Sequence, residues 1–179
     1  MSTAPSTAYP PAYSRLSIGL HWLMLVLLAA AYAAILMREG YPRGSDIRAA
    51  FKAWHFSLGL VVFALVWVRL LARSFSRRAA PTNWADRIAG AMHLALYGFM
   101  IAMPVLGWVL LSAEGDPVRM FGLPLPPLTA PDEALAERTE ALHETLGTVG
   151  YWLIGIHAAA ALAHHYLLRD DTLRRMMVR

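Results

Sequence analysis

Residues 142–166 read LHETLGTVGYWLIGIHAAAALAHHY, and the two histidines inside this run, His143 and His157, decide the fold. The stretch is apolar enough to lie in lipid, where backbone groups must be satisfied internally and a single segment must be helical. At about 100° per residue, a fourteen-residue spacing returns the second side chain to within about 40° of the first. At about 1.5 Å rise, the two lie roughly 21 Å apart. One helix therefore carries an imidazole near each side of a bilayer core, on one face. That pattern suits two redox centres stacked across a membrane.

Composition agrees with a membrane chain. Of 179 residues, 58% are hydrophobic and 16% are charged, with a mean hydropathy of +0.44; soluble domains carry about 25% charged residues. The absence of cysteine excludes disulfides, thiolate zinc sites, iron–sulfur clusters and covalent c-type haem. The net charge of +4 rests on arginines at helix ends, which is no nucleic-acid footprint. The opening MSTAPSTAYPPAYS has neither a basic leader nor a cleavage signature, so residues 1–13 read as a flexible tail.

Four stretches are long enough to span about 30 Å of hydrocarbon: about 16–37, 51–71, 88–111 and 142–168. The expected fold is all-α, a membrane-embedded four-helix bundle over 14–170, followed by a basic C-terminal tail at 171–179. Ser14 is the expected N-cap of the first helix, and Pro104 is expected to kink the third. The N-terminal side, second connection and C-terminal side hold ten of the sixteen Lys and Arg residues, and nine of the twelve acids lie on the opposite side. Both termini are thus expected in the cytoplasm. The third connection, roughly 112–141, contains GLPLPPLTAP and reads as an extended, rigid surface loop.

Orientation converts position into depth. The outer level holds His55 and His143; the inner level holds His21, His93 and His157. Ionisable groups inside spans are costly and usually functional. Neutral imidazoles paired across a bundle core suit haem iron. A plain interhelical hydrogen bond is the simpler reading for any one histidine, and it fits poorly for two facing levels. Arg69 follows His55 by fourteen residues and should face the bundle at the inner level, where a haem propionate or a lipid phosphate suits its guanidinium. His164, seven residues after His157, is a candidate for a propionate or a quinone carbonyl, or is a polar residue at the membrane surface. Gly19, Gly59, Gly147 and Gly150 flank the histidines, leaving room for a porphyrin or serving helix packing. Trp22, Trp54, Trp67, Trp84, Trp108, Tyr97 and Tyr151 read as an interfacial belt.

These residues resemble a known family. YSRLSIGLHWL, WHFSLGL, VWVRLLAR, MHLALYGFMIAMPVLGW and LHETLGTVGYWLIGIHAAAALAHHY resemble the bacterial cytochrome b561 proteins, four-helix membrane proteins carrying two b haems. The resemblance implies two haem b groups with bis-histidine ligation. It places His21 and His157 on the cytoplasmic-side haem iron and His55 and His143 on the periplasmic-side iron, with His93 lining the site. It further implies a superoxide oxidase that passes electrons from periplasmic superoxide to ubiquinone. Arg38, Arg43, Arg48 and Lys52 cluster beside His55 and are candidates for steering that anion, against the acids of the third connection. Two rivals stand beside this reading. One is a non-catalytic di-haem carrier between the quinol pool and a periplasmic redox partner, with the third connection as its docking surface. The other is a metal-ion binder using the histidines directly, disfavoured because one metal needs converging ligands.

Overall fold

The computed structural model describes residues 14–74 and 83–177. The tail read over 1–13 lies outside the described residues, as do residues 75–82, with Arg77 and Arg78, and residues 178–179. Four long helices make up the described chain: α1 Arg15–Arg38, α2 Asp46–Ser74, α3 Trp84–Glu114 and α4 Glu133–Tyr166. Each is long and apolar enough to cross a bilayer. The expected all-α four-helix membrane fold is therefore present.

Local chemistry sets the helix ends. Ser14, Asn83 and Asp132 cap α1, α3 and α4, their side-chain oxygens accepting from the backbone N–H of Ser17, Asp86 and Leu135. Gly115 ends α3 in the left-handed conformation, φ 76°, where a side chain would be strained. The fourth helix starts at Glu133, well before the expected Leu142. Asp132 caps it there, and EALAERTEAL consists mostly of strong helix formers. Its charges keep this portion outside lipid, so a hydropathy reading finds only the part that crosses. The third connection shrinks accordingly, and Glu133, Glu137 and Glu140 belong to α4.

The connection is also not an extended arm. Strands β1 (Arg119–Met120) and β2 (Leu123–Pro124) pair antiparallel around Phe121 and Gly122, φ 47° and 84°; positive φ at both central residues is the tight-hairpin pattern. Two buried serines fasten the loop to the helices. Ser57 of α2 accepts from the Phe121 N–H at 3.0 Å, and Ser112 of α3 accepts from the Leu128 N–H at 3.0 Å. Val118 packs with Phe56, Leu60 and Leu111. The loop thus clasps the N-terminal half of α2 and the C-terminal end of α3.

Helix packing is uneven. α1 runs along α2 and α3 along α4, with α2 meeting α3 around Met24, Val62, Val66, Tyr97 and Met100. α4 stands away from α1 and α2 over most of its length. Its buried residues are Thr139 and Gly150. A methyl group on Gly150 would run into the Tyr32 hydroxyl and the Phe99 ring, so α4 is pinched to the bundle at that point.

Candidate functional site

Across the gap between α4 and the first two helices, histidines meet at two levels. At the outer level, the His55 and His143 rings lie 6.1 Å apart, crossed at 76°. His55 Nδ1 lies 2.8 Å from the Ala31 carbonyl. With its proton there, His55 donates to Ala31 and turns the lone pair of Nε2 outward. This is the arrangement that orients metal-ligating histidines. His143 Nδ1 is buried with no hydrogen-bond partner among the described residues. Gly107 leaves room for its ring: a Cβ there would lie 3.4 Å from His143 Cε1.

At the inner level three imidazoles gather. His21 and His157 lie 6.2 Å apart at 73°, and His93 and His157 lie 5.7 Å apart at 75°. His93 Nδ1 sits 2.6 Å from the Ala89 carbonyl of its own helix. Spacing alone leaves both His21 and His93 beside His157. Arg69 faces the bundle here. Its Nε donates to the Tyr97 hydroxyl at 3.2 Å and its Nη1 to the Ser17 carbonyl at 3.3 Å. The guanidinium therefore ties α2 to α1 and α3, with Arg73 over the Tyr97 ring at 5.5 Å. Tyr97 is a buried core residue and not part of an interfacial belt. Trp54, Trp67 and Trp84 are exposed. Cβ atoms on Gly19 and Gly59 would meet nothing within 4 Å, so both face open space.

His164 turns to Asp170, with Nδ1 to Oδ2 at 2.5 Å. That bond, aided by Thr172, holds the Asp170 carboxyl down to about 2. Asp170 follows the end of α4, in a segment that crosses to α1, where the Trp22 indole N–H donates to the Met176 carbonyl at 2.6 Å. His165 points elsewhere, its ring against Tyr166.

Above the outer pair lies a polar cavity of about 600 Å³, lined by Arg38, Arg43, Arg48 and Lys52 and by Glu39, Asp46, Glu140 and Glu144. The candidate steering cations do converge, but most are committed. Lys52 donates to Glu114 at 2.9 Å and Asp116 at 2.8 Å; Arg48 pairs with Glu39 at 3.1 Å. Arg38 lies 3.9 Å from the same Glu39. Among the described residues Arg43 makes no ion pair. Four cations and four carboxylates line the cavity, Glu140 and Glu144 arriving from α4, about a hundred residues along the chain from the cations. Among the described residues, no group of three or more His, Asp or Glu converges on a metal-sized point.

Comparison with known proteins agrees with this architecture. The family model described as prokaryotic cytochrome b561 matches residues 12–178. The chain is 34% identical over 171 residues to cytochrome b561 homolog 1 of Escherichia coli, covering 93% of this chain and 97% of that one. It is 36% identical over 169 residues to the probable superoxide oxidase CybB of Yersinia pestis, covering 92% and 95%. It is 27% identical over 172 residues to a cytochrome b562 of Cereibacter sphaeroides, covering 93% and 96%.

Proposed function

This chain belongs to the prokaryotic cytochrome b561 family of electron-carrying membrane proteins, and we propose that it holds two b haems, one at each histidine level, and works as a superoxide:ubiquinone oxidoreductase. The observation that carries the reading is the pair of ring separations, 6.1 and 6.2 Å, at two depths of one membrane bundle. Two imidazoles opposed at that separation would leave room for one iron between their ring nitrogens. The donor set fits the group: His55 and His143 would hold one haem, His21 and His157 the other. His55 is oriented by the Ala31 carbonyl, and the open sides of Gly19 and Gly59 leave room for a flat macrocycle. When bound, the haems supply reversible one-electron carriage in a water-poor interior.

The protein's own residues do the rest. The histidines fix each centre on rigid helices, so little rearrangement accompanies a change of charge. Arg69, beside the inner histidines and already anchored to Tyr97 and Ser17, offers a cation to a propionate. Ten cationic residues flanking one side of the membrane, against six on the other, support cytoplasmic termini and a periplasmic outer level. In the net reaction two superoxide ions become dioxygen, and one ubiquinone takes two electrons and two protons to become ubiquinol. Arg43 is the cation left to attract superoxide at the outer cavity.

The charge balance of that cavity favours a second reading, a carrier that serves quinol and a periplasmic redox partner without oxidising superoxide. One experiment separates the two. The purified protein is reduced with dithionite, and separately exposed to a superoxide source with ubiquinone. Two low-spin b haems per chain, reduced by superoxide and reoxidised by quinone, support the oxidase. Haem bands that ignore superoxide leave the carrier, and a chain without haem refutes both.

A further inference from the structure

The point where α4 touches the bundle lies midway between the two histidine levels. Gly150 is seven residues from His143 and seven from His157, about 10 Å along the helix from each. Beside it the rings of Tyr32 and Tyr151 stand 4.3 Å apart, tilted by 37°, closer than the roughly 4.5–7 Å usual for aromatic pairs. The Tyr32 hydroxyl donates to the Gly147 carbonyl at 2.8 Å. Tyr32 is also the chain neighbour of Ala31, whose carbonyl receives the His55 ring. From the outer histidine to the tyrosine pair, the route is one hydrogen bond and one residue of backbone. Tyr151 then lies six residues before His157 on the same helix.

We propose that the Tyr32–Tyr151 pair is the bridge by which electrons cross from the outer to the inner centre, and that Gly150 is small so that the two rings can close. The two rings stand in contact midway between the two levels, so the pair places bonded and touching atoms on the path from one level to the other. One electron enters at the outer end from superoxide or another one-electron donor, and one leaves at the inner end to a quinone. Neither phenol is oxidised, and neither loses its proton. The Tyr32 proton points at a carbonyl, which does not take it.

This inference rests on the two-haem reading, which haem stoichiometry of the wild-type holoprotein tests by itself; fewer than two haems per chain removes that reading before any variant is made. The bridge is tested in the holoprotein with Tyr32→Leu and Tyr151→Leu, and with Tyr32→Phe and Tyr151→Phe as rescues. The readout is the rate at which the second haem is reduced after an electron is injected at the first, with both midpoint potentials and the haem stoichiometry recorded. The leucine variants are expected to transfer several-fold more slowly at unchanged potentials, and phenylalanine to restore the rate. Leucine variants that keep two haems and transfer at the wild-type rate overturn the proposal. Phenylalanine variants as slow as leucine also overturn it, because they assign the effect to the hydroxyl and its bond to Gly147. Tyr151 is 46% exposed, so its leucine variant keeps the test open where Tyr32→Leu does not fold.

Discussion

Replacing Gly150 by alanine adds one methyl group at the one place where α4 is pinched against α1 and α3. The added carbon would meet the Tyr32 hydroxyl and the Phe99 ring edge, on stiff aromatic side chains. Gly155 sits in the same helix with nothing within 4 Å of its would-be Cβ. Both substitutions gain the same helix propensity, up to about 1 kcal/mol, so their difference isolates the clash. Overpacking of this kind costs about 1–3 kcal/mol, and for a chain of this size each kcal/mol moves the melting midpoint by about 2–4 °C. Gly150→Ala should therefore melt about 2–12 °C below Gly155→Ala. The assay is thermal unfolding of the detergent-solubilised holoprotein, followed by circular dichroism and by haem absorption. Adding Tyr32→Phe to Gly150→Ala should recover part of the loss, because the two residues share one contact. Coincident melting midpoints for the two glycine variants would refute the close approach of α4 at its centre.

Other outcomes follow from the same geometry. His143→Ala and His157→Ala should each remove one haem per chain and leave the other centre's absorption in place, whereas His93→Ala should leave the haem stoichiometry unchanged; pyridine haemochrome assay decides. Arg43→Gln should lower the superoxide rate and its dependence on salt more than Lys52→Gln, because Lys52 is held by Glu114 and Asp116; equal effects in stopped-flow kinetics contradict this. Ser57→Ala strands the Phe121 N–H in a positive-φ turn and should cost about 1–3 kcal/mol, visible as faster proteolysis of the loop between α3 and α4.

The four spans and the two histidine levels were legible in the sequence because helical rise and hydropathy are local rules. Position along a span translates directly into depth, and that placed His55 opposite His143 and both His21 and His93 beside His157, leaving the choice between those two to the family resemblance. The outer start of α4 was not legible, since its helix-forming residues are charged and carry no membrane signal. Tyr151 looked like a belt residue because it is aromatic; its partner Tyr32 is more than a hundred residues away, and no spacing announces such a pair. The same distance hid Glu144 from the first-loop cations, whereas Glu140 already stood among the third-connection acids set against them. Asp170 was within reach of prediction, six residues after His164, but the turn that brings it back depends on Arg169 adopting a φ of 54°, which an arginine does not advertise.

The separation of α4 from α1 and α2 has a consequence for how the molecule is assembled. Among the described residues, two hydrogen bonds join α1 to α4 and the segment after it, Tyr32 to Gly147 and Trp22 to Met176, whereas α2 and α3 share a buried core. A flat, apolar macrocycle dissolved in the bilayer can enter the seam between α1 and α4 sideways, between helices that have already inserted, without unfolding either one. On the two-haem reading, cofactor entry at that seam would leave the buried contact between α2 and α3 undisturbed.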